Sequence, residues 1–368
     1  MRTGQKYRKN RRRLLGMLLP LLLVAAILAG IMIHAARTRL IHSRTEELLK
    51  TPLPAGEVNP SMEDVPDEYL DEDTLEGTLV RFTYPTAAYD EDGRDMSKYA
   101  IVYVPYGYDP KDADTRYPVL YLMHGHGGNA ETFLGSPGDP RDMKAMLDHL
   151  IAKRRMQPML IVSASYYPDN EETDSNNYDA DRTYTFAKEL REDLIPAFEG
   201  KFNTYAETTD EAGLRASRDY RAFGGFSMGG VTTWYRLADS LDYFRYFVPL
   251  SGSLLWGWQE TFETSPRTNP RTVVDYLTDA LDESGYGPED FYIFSAVGTE
   301  DFAHDTLNLQ IDMMRERPDW FRFEDGEKSN IVFFNAEGEE HDYHAKRRYL
   351  YNALPVIAGL MRGGKLCY

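Results

Sequence analysis

The run Phe223-Gly224-Gly225-Phe226-Ser227-Met228-Gly229-Gly230 carries the sharpest chemical signal in the chain. It holds Gly-x-Ser-x-Gly at Gly225, Ser227 and Gly229, after the strand-like stretch Tyr220–Phe226 and before the amphipathic stretch Gly229–Ser240. A tight strand-to-helix turn lifts its serine above the sheet, and the helix N-terminus behind it favours developing negative charge. Bulky side chains two residues away would block such a turn. Read as backbone alone, the same run is a glycine-rich connection between a strand and a helix.

A nucleophilic serine needs a base, and the base needs an orienting acid. Where the serine sits on a turn of this kind, the chain order is Ser, then Asp or Glu, then His. Downstream of Ser227 stand His304, His341 and His344. His341 follows the apolar run Ile331–Phe334, at the C-terminal end of a predicted strand, where open α/β sheets place their working loops. It is the expected base; His344, read as the start of the next helix, is the competitor. Asp301 follows Phe291–Val297 through Gly298-Thr299-Glu300 and is the expected acid, with Glu300 and Asp305 as rivals. An oxyanion hole completes the set. The N–H of Met228 is one expected donor, and the N–H of His126, with Gly127 next, is the other, from the loop Tyr121–Gly128. His124 and His126 alone make an incomplete metal site, so neither metal nor cofactor is expected.

These groups must be positioned by a scaffold. Predicted strands are Leu79–Tyr84, Ala100–Val104, Val119–Met123, Met159–Ser163, Tyr220–Phe226, Tyr246–Leu250, Phe291–Val297 and Ile331–Phe334. Several are continuous apolar runs, as in strands buried on both faces. Predicted helices are Asp142–Lys153, Tyr184–Glu199, Gly229–Ser240, Arg271–Asp282, Thr306–Arg315 and His344–Met361. Their alternation predicts an α/β fold with a mainly parallel central sheet and helices on both faces. Trp256 and Trp258 follow Tyr246–Leu250, and Tyr166 and Tyr167 follow Met159–Ser163. Each could stack on a sugar or phenolic ring, or pack beneath its loop.

Charge divides the chain. Its net charge is −18, yet residues 1–50 carry 11 Lys+Arg against 2 Asp+Glu, leaving a balance of −27 for the remainder. That acidity argues against nucleic acid as a partner. The single cysteine, Cys367, excludes an intrachain disulfide. Residues 1–13 hold seven Lys+Arg, and the uncharged run Leu14–Ile33 would span about 30 Å as a helix, the thickness of a bilayer core. It is long for a cleaved signal peptide. The reading is a basic cytoplasmic leader (1–13), a transmembrane signal anchor (14–36), a stalk (37–78) and one catalytic domain (79–368) facing outside, by the positive-inside rule. Secretion after signal cleavage is the alternative. The stalk is expected to be extended, because residues 51–78 hold nine Asp+Glu, four prolines and no Lys or Arg.

Four motifs in order resemble the esterase D / feruloyl and acetylxylan esterase group (carbohydrate esterase family 1) of the α/β-hydrolase superfamily. They are Leu122-Met123-His124-Gly125-His126-Gly127-Gly128, Gly225–Gly230, Gly298–Asp301, and Gly338 with His341 and Tyr343. The resemblance covers residues 79–361. It implies an α/β-hydrolase fold, Ser227, Asp301 and His341 as a triad, no cofactor, and acetyl or feruloyl esters on carbohydrate as substrates. Relatives implied by the same resemblance cleave formylglutathione or siderophore esters, or transfer mycolyl groups. The anchor argues against a cytoplasmic formylglutathione hydrolase. An acyltransferase or siderophore-type esterase, and a non-catalytic surface carbohydrate-binding protein, are the competing functions.

Overall fold

Runs of apolar residues five to ten long alternate with amphipathic stretches, and each becomes a strand or a helix. A computed structural model describes residue 32 and residues 53–71, 75–89, 93–167, 180–255, 270–323 and 326–366. Eight strands form one sheet: β1 (Thr78–Ala87), β2 (Asp95–Val104), β3 (Val119–Met123), β4 (Leu160–Ala164), β5 (Arg221–Phe226), β6 (Tyr246–Leu250), β7 (Tyr292–Gly298) and β8 (Ile331–Ala336). Their order across the sheet is β8-β7-β6-β5-β3-β4-β2-β1. Pairing is parallel from β8 through to β4, and antiparallel from β4 to β2 and from β2 to β1. The α/β expectation with a mainly parallel sheet holds. The central strands β3 to β7 are buried along their whole length, which is why they read as unbroken apolar runs. β1 alternates and contains Pro85, which an edge strand tolerates because its outer side needs no ladder donor.

The helices are α1 (Asp142–Ala152), α2 (Ala180–Glu189), α3 (Glu211–Ala216), α4 (Met228–Asp239), α5 (Pro270–Ser284), α6 (His304–Arg315) and α7 (Tyr343–Met361). α2 passes through a π-helical turn, Leu190–Leu194, into the short helix Ile195–Glu199. That turn delivers Glu199 to a fully buried ion pair with Arg221 at the start of β5, at 2.6 Å. Burying both charges is tolerable only with complete hydrogen bonding. Arg221 also donates to the Leu214 and Tyr243 carbonyls and to Ser217, and Glu199 accepts from Tyr121 and Thr204.

Register brings the strand ends level. Met123 pairs with both Ala164 and Gly225, Phe226 with Leu250, Leu250 with Ala296, and Gly298 with Ala336. The loops that follow β3 to β8 therefore leave one rim.

The acidic segment departs from expectation. Residues 53–71 and Leu75 fold onto the domain rather than forming a solvated stalk. Glu57–Val58 pairs in parallel with Lys365–Leu366, and Val58, Tyr69 and Leu75 are buried. The acids find cations: Glu63 meets Arg155, Asp64 meets Arg348, Glu68 meets Lys153, and Glu76 meets Lys144. Sparse apolar residues and opposite charges across the interface supply what the segment lacks alone. The leader 1–13, and the anchor 14–36 apart from Met32, lie outside the described residues, as do residues 37–52. Among the described residues no helix is long and apolar enough to cross a membrane.

Tyr69 tests this docking, since its ring packs edge-on against Tyr351 at 5.3 Å. Tyr69→Ala in the full chain is expected to lower stability by about 3 kcal/mol in denaturant unfolding. A solvated stalk would predict no change.

Candidate active site

Ser227 sits between β5 and α4 at φ 60°, ψ −121°. This conformation is strained for a residue with a side chain. Packing enforces it. A Cβ on Gly225 or Gly229 would strike the Met123 carbonyl, and one on Gly252 would strike the Ser227 carbonyl. Ser227 N donates to the Leu250 carbonyl at 2.9 Å, and Val231 N to the Ser227 carbonyl at 3.0 Å. Met228 begins α4, so its N–H belongs to the first turn, where helical amides lack intrahelical partners.

The loop after β3 closes over this turn. Gly125 lies against Ser227, where a Cβ would come within 3.0 Å of the serine Cβ. Gly127 has φ +67°, and His126 lines the hollow beside Ser227. His124 is buried beneath the loop and bonded to Gly125 O at 2.7 Å and Ser165 Oγ at 3.0 Å. Burial pushes its imidazole down to about 4, so it stays neutral and braces the loop.

Asp301 and His341 meet directly. His341 Nδ1 lies 2.8 and 2.9 Å from the two Asp301 carboxylate oxygens. The Asp301 side chain is buried and also accepts from Ala303 N at 2.7 Å. A carboxylate can only accept, so Nδ1 is the donor in this pair and Nε2 is left facing away from the acid. The rivals stand elsewhere: Glu300 is exposed, the Asp305 side chain is 98% exposed beside His304, and His344 is bonded to Glu339 in the first turn of α7. The loops carrying acid and base are stitched together. Glu300 N donates to Glu339 O, Gly338 N to Thr299 Oγ1, and Gly298 lies so close to the Glu339 backbone that no side chain would fit.

The His341 ring packs between Phe226 (centroids 4.6 Å apart), the residue before Ser227, and Phe302 (4.0 Å), the residue after Asp301. Ser227 forms no hydrogen bond to His341 among the described residues. Such bonds are often loose in unliganded sites and tighten around substrate. A half-open hollow of about 220 Å³ lies beside Ser227, walled by His126, Met228, Val231, Ser251, Gly252, Ser253, Phe302, Ala303 and Thr306. His341 and Gly127 are not among its walls.

One expectation changes. Tyr166 and Tyr167 are buried, with Tyr166 bonded to Thr232 at 2.6 Å and both rings packed on His124. They fill the space between β4 and the loop after β3. Trp256 and Trp258 lie outside the described residues. Sequence reasoning missed Ser251, Ser253 and Phe302, although Ser251-Gly252-Ser253 follows β6 at the same rim. Among the described residues no group of acids, histidines or cysteines could hold a metal ion.

Known proteins share this framework. The family model described as "Putative esterase" matches residues 93–346. The chain is similar to endo-1,4-beta-xylanase Y of Acetivibrio thermocellus, 35% identical over 294 residues, 79% of this chain and 24% of the relative. It is also similar to an endo-1,4-beta-xylanase/feruloyl esterase of Xylanibacter ruminicola, 34% identical over 158 residues, 42% of this chain and 19% of the relative. It thus spans a quarter or less of these curated relatives. Among solved structures it is similar to a serine-to-alanine mutant of the feruloyl esterase module from Clostridium thermocellum complexed with sinapinate. There the identity is 31%, with 83% of this chain and 96% of that one covered and a TM-score of 0.64.

Lys346 offers a stability test. Its ammonium lies 5.1–5.6 Å from the ring centroids of Phe133, Phe226 and Tyr343. Burial, reinforced by Arg141 and opposed by Asp342, pushes it down to about 8. The unfolded chain keeps this proton up to about 10.4, so folding is penalised below pH 8 and relieved as pH rises through that window. Lys346→Met is expected to be more stable than wild type at pH 7, with the advantage gone by about pH 10.5. Denaturant melts at both pH values measure it.

Proposed function

The chain belongs to the esterase family, and from that premise we propose that it is a serine esterase cleaving acyl esters, of feruloyl or acetyl type, on carbohydrate. The observation that carries this reading is the clamp of both Asp301 oxygens on His341 Nδ1, on loops stitched together at the rim where Ser227 stands. The xylanase and feruloyl esterase names of the relatives support the substrate class.

In this mechanism His341 Nε2 takes the Ser227 proton as Oγ attacks the ester carbonyl. The Met228 and His126 amides receive the oxyanion, and Asp301 stabilises the imidazolium. His341 then gives its proton to the departing alcohol oxygen. Water repeats the sequence on the acyl-enzyme, releasing the acid and restoring Ser227. The dipole of α4 points its positive end at the reacting centre throughout.

The proton's route assigns the two halves of the substrate. The alcohol must leave on the His341 side, because His341 protonates it. The acyl group, with its carbonyl oxygen toward Met228 and His126, then occupies the hollow on the other side. Carbohydrate stays outside, against the open rim. The basic leader, the apolar run 14–36 and the outward charge balance support a single-pass membrane protein with this domain outside the cell.

Ser227→Ala is expected to lower kcat on methyl ferulate and 4-nitrophenyl acetate by about 10⁴-fold or more. Asp301→Asn should lower kcat by roughly 10⁴-fold with KM little changed, because it favours the wrong imidazole tautomer. Glu300→Gln and Asp305→Asn should stay near wild type. Initial rates on purified full-length variants decide this, and wild-type rates in Ser227→Ala would refute it.

A further inference from the structure

The imidazole of His341 has two sides. Phe302, packed on one, walls the hollow; Phe226, packed on the other, does not. On the Phe226 side stand two cations that the mechanism does not use. Lys346 Nζ lies 5.5 Å from the Phe226 ring centroid and 5.1 Å from that of Tyr343, and the Arg141 guanidinium lies 5.0 Å from the Tyr343 centroid. Lys346 is half-buried in α7, and Arg141 is exposed where α1 begins.

Neither cation has an ion pair or a side-chain hydrogen bond among the described residues. Other cations of this domain meet acids: Lys98 meets Glu189 at 2.7 Å, Arg215 meets Asp242 at 2.7 Å, and Arg317 meets Asp275 at 2.6 Å. Beside Tyr343 the neighbouring acids are already engaged. Asp142 accepts from Tyr343 Oη at 2.8 Å and pairs with Arg347, and Asp342 caps α7 by accepting from Ala345 N at 2.9 Å. Burial first, and then the charge of Arg141, hold the Lys346 ammonium down at about 8, still protonated at pH 7. Ring faces offset only part of that penalty. Two like charges held together without a counter-charge are unfavourable for the fold and favourable for a bound anion.

Position narrows what the anion is. The alcohol half of the ester leaves on the His341 side, away from the hollow, and that half is the carbohydrate. A sugar chain is neutral unless it carries an acidic substituent. A guanidinium with an ammonium beside it suits a carboxylate, which the guanidinium can meet through two N–H donors.

We propose that Lys346 and Arg141 form an anion subsite that binds the carboxylate of a uronic acid carried by the carbohydrate on the leaving-group side. The proposal deepens the esterase reading above and rests on its placement of the carbohydrate.

Binding tests it separately from turnover. In full-length Ser227→Ala, titration calorimetry at pH 7 would compare xylotetraose, xylotetraose carrying one glucuronic acid branch, and the same branched sugar as its neutral methyl ester. The acidic sugar is expected to bind about fivefold or more tightly than either neutral one, the worth of one charged hydrogen bond partly open to water. Salt should shrink that margin. Lys346→Met, expected above to be more stable than wild type, should remove most of the margin and Arg141→Gln part of it, whereas Lys346→Arg should keep it. With Ser227 present, Lys346→Met should raise KM for a feruloylated acidic oligosaccharide relative to its uncharged counterpart. Equal binding of all three sugars, or a margin that survives Lys346→Met combined with Arg141→Gln, would overturn the proposal. So would free glucuronate that binds as tightly as the branched sugar, since the site would then hold any small anion. A charge preference in Ser227→Ala without ester turnover in wild type would uphold the subsite and refute the esterase reading. Turnover of methyl ferulate without a charge preference would refute the subsite alone.

Discussion

Ser227 is held at φ 60°, ψ −121°, and much of the site depends on that one strained residue. Strain of this kind, of order 1–3 kcal/mol, persists only where the surroundings leave no alternative. Here the surroundings are backbone: Met123 O faces Gly225 and Gly229, and Ser227 O faces Gly252. The glycines are not interchangeable spacers. Each marks a place where one main chain passes too near another for a Cβ. Relaxing the turn would require β3, β5 and β6 to move apart, and all three are buried central strands. The strained serine is therefore as stable as the middle of the sheet.

The same logic extends sideways along the rim. Acid and base come from different loops, 40 positions apart, yet their relative placement is fixed by the β7–β8 ladder and by three short links beyond it. Arg348 ties this arrangement to the periphery. It pairs with Glu339 at 2.7 Å in the base loop and with Asp64 at 2.9 Å in the docked N-terminal segment. Phe226 and Phe302, adjacent in sequence to Ser227 and Asp301, enclose the imidazole between them. Positioning thus comes from residues adjoining the proposed reactive ones.

Legibility in the sequence followed the range of the physics. Strands buried on both faces are continuous apolar runs, and β3 and β6 fall where those runs lie, with other strands shifted or extended at their ends. The strand-turn-helix context of Ser227 and the strand-end positions of Asp301 and His341 are local, so they could be read. Burial of a polar group is not local. Nothing in Ser251-Gly252-Ser253 says that the segment borders the hollow beside Ser227, and nothing in Tyr166-Tyr167 says that both rings lie on His124. Composition misled most at residues 53–71, where a run of acids reads as self-repelling. Its counter-charges, Arg155, Lys153 and Arg348, are distant in sequence and adjacent only in the fold.

That correction moves the start of the folded unit. The compact unit begins at Leu53 rather than near residue 79. The acids that seemed to lengthen an arm instead fasten residues 53–71 to the domain, through Arg155, Lys153 and Arg348.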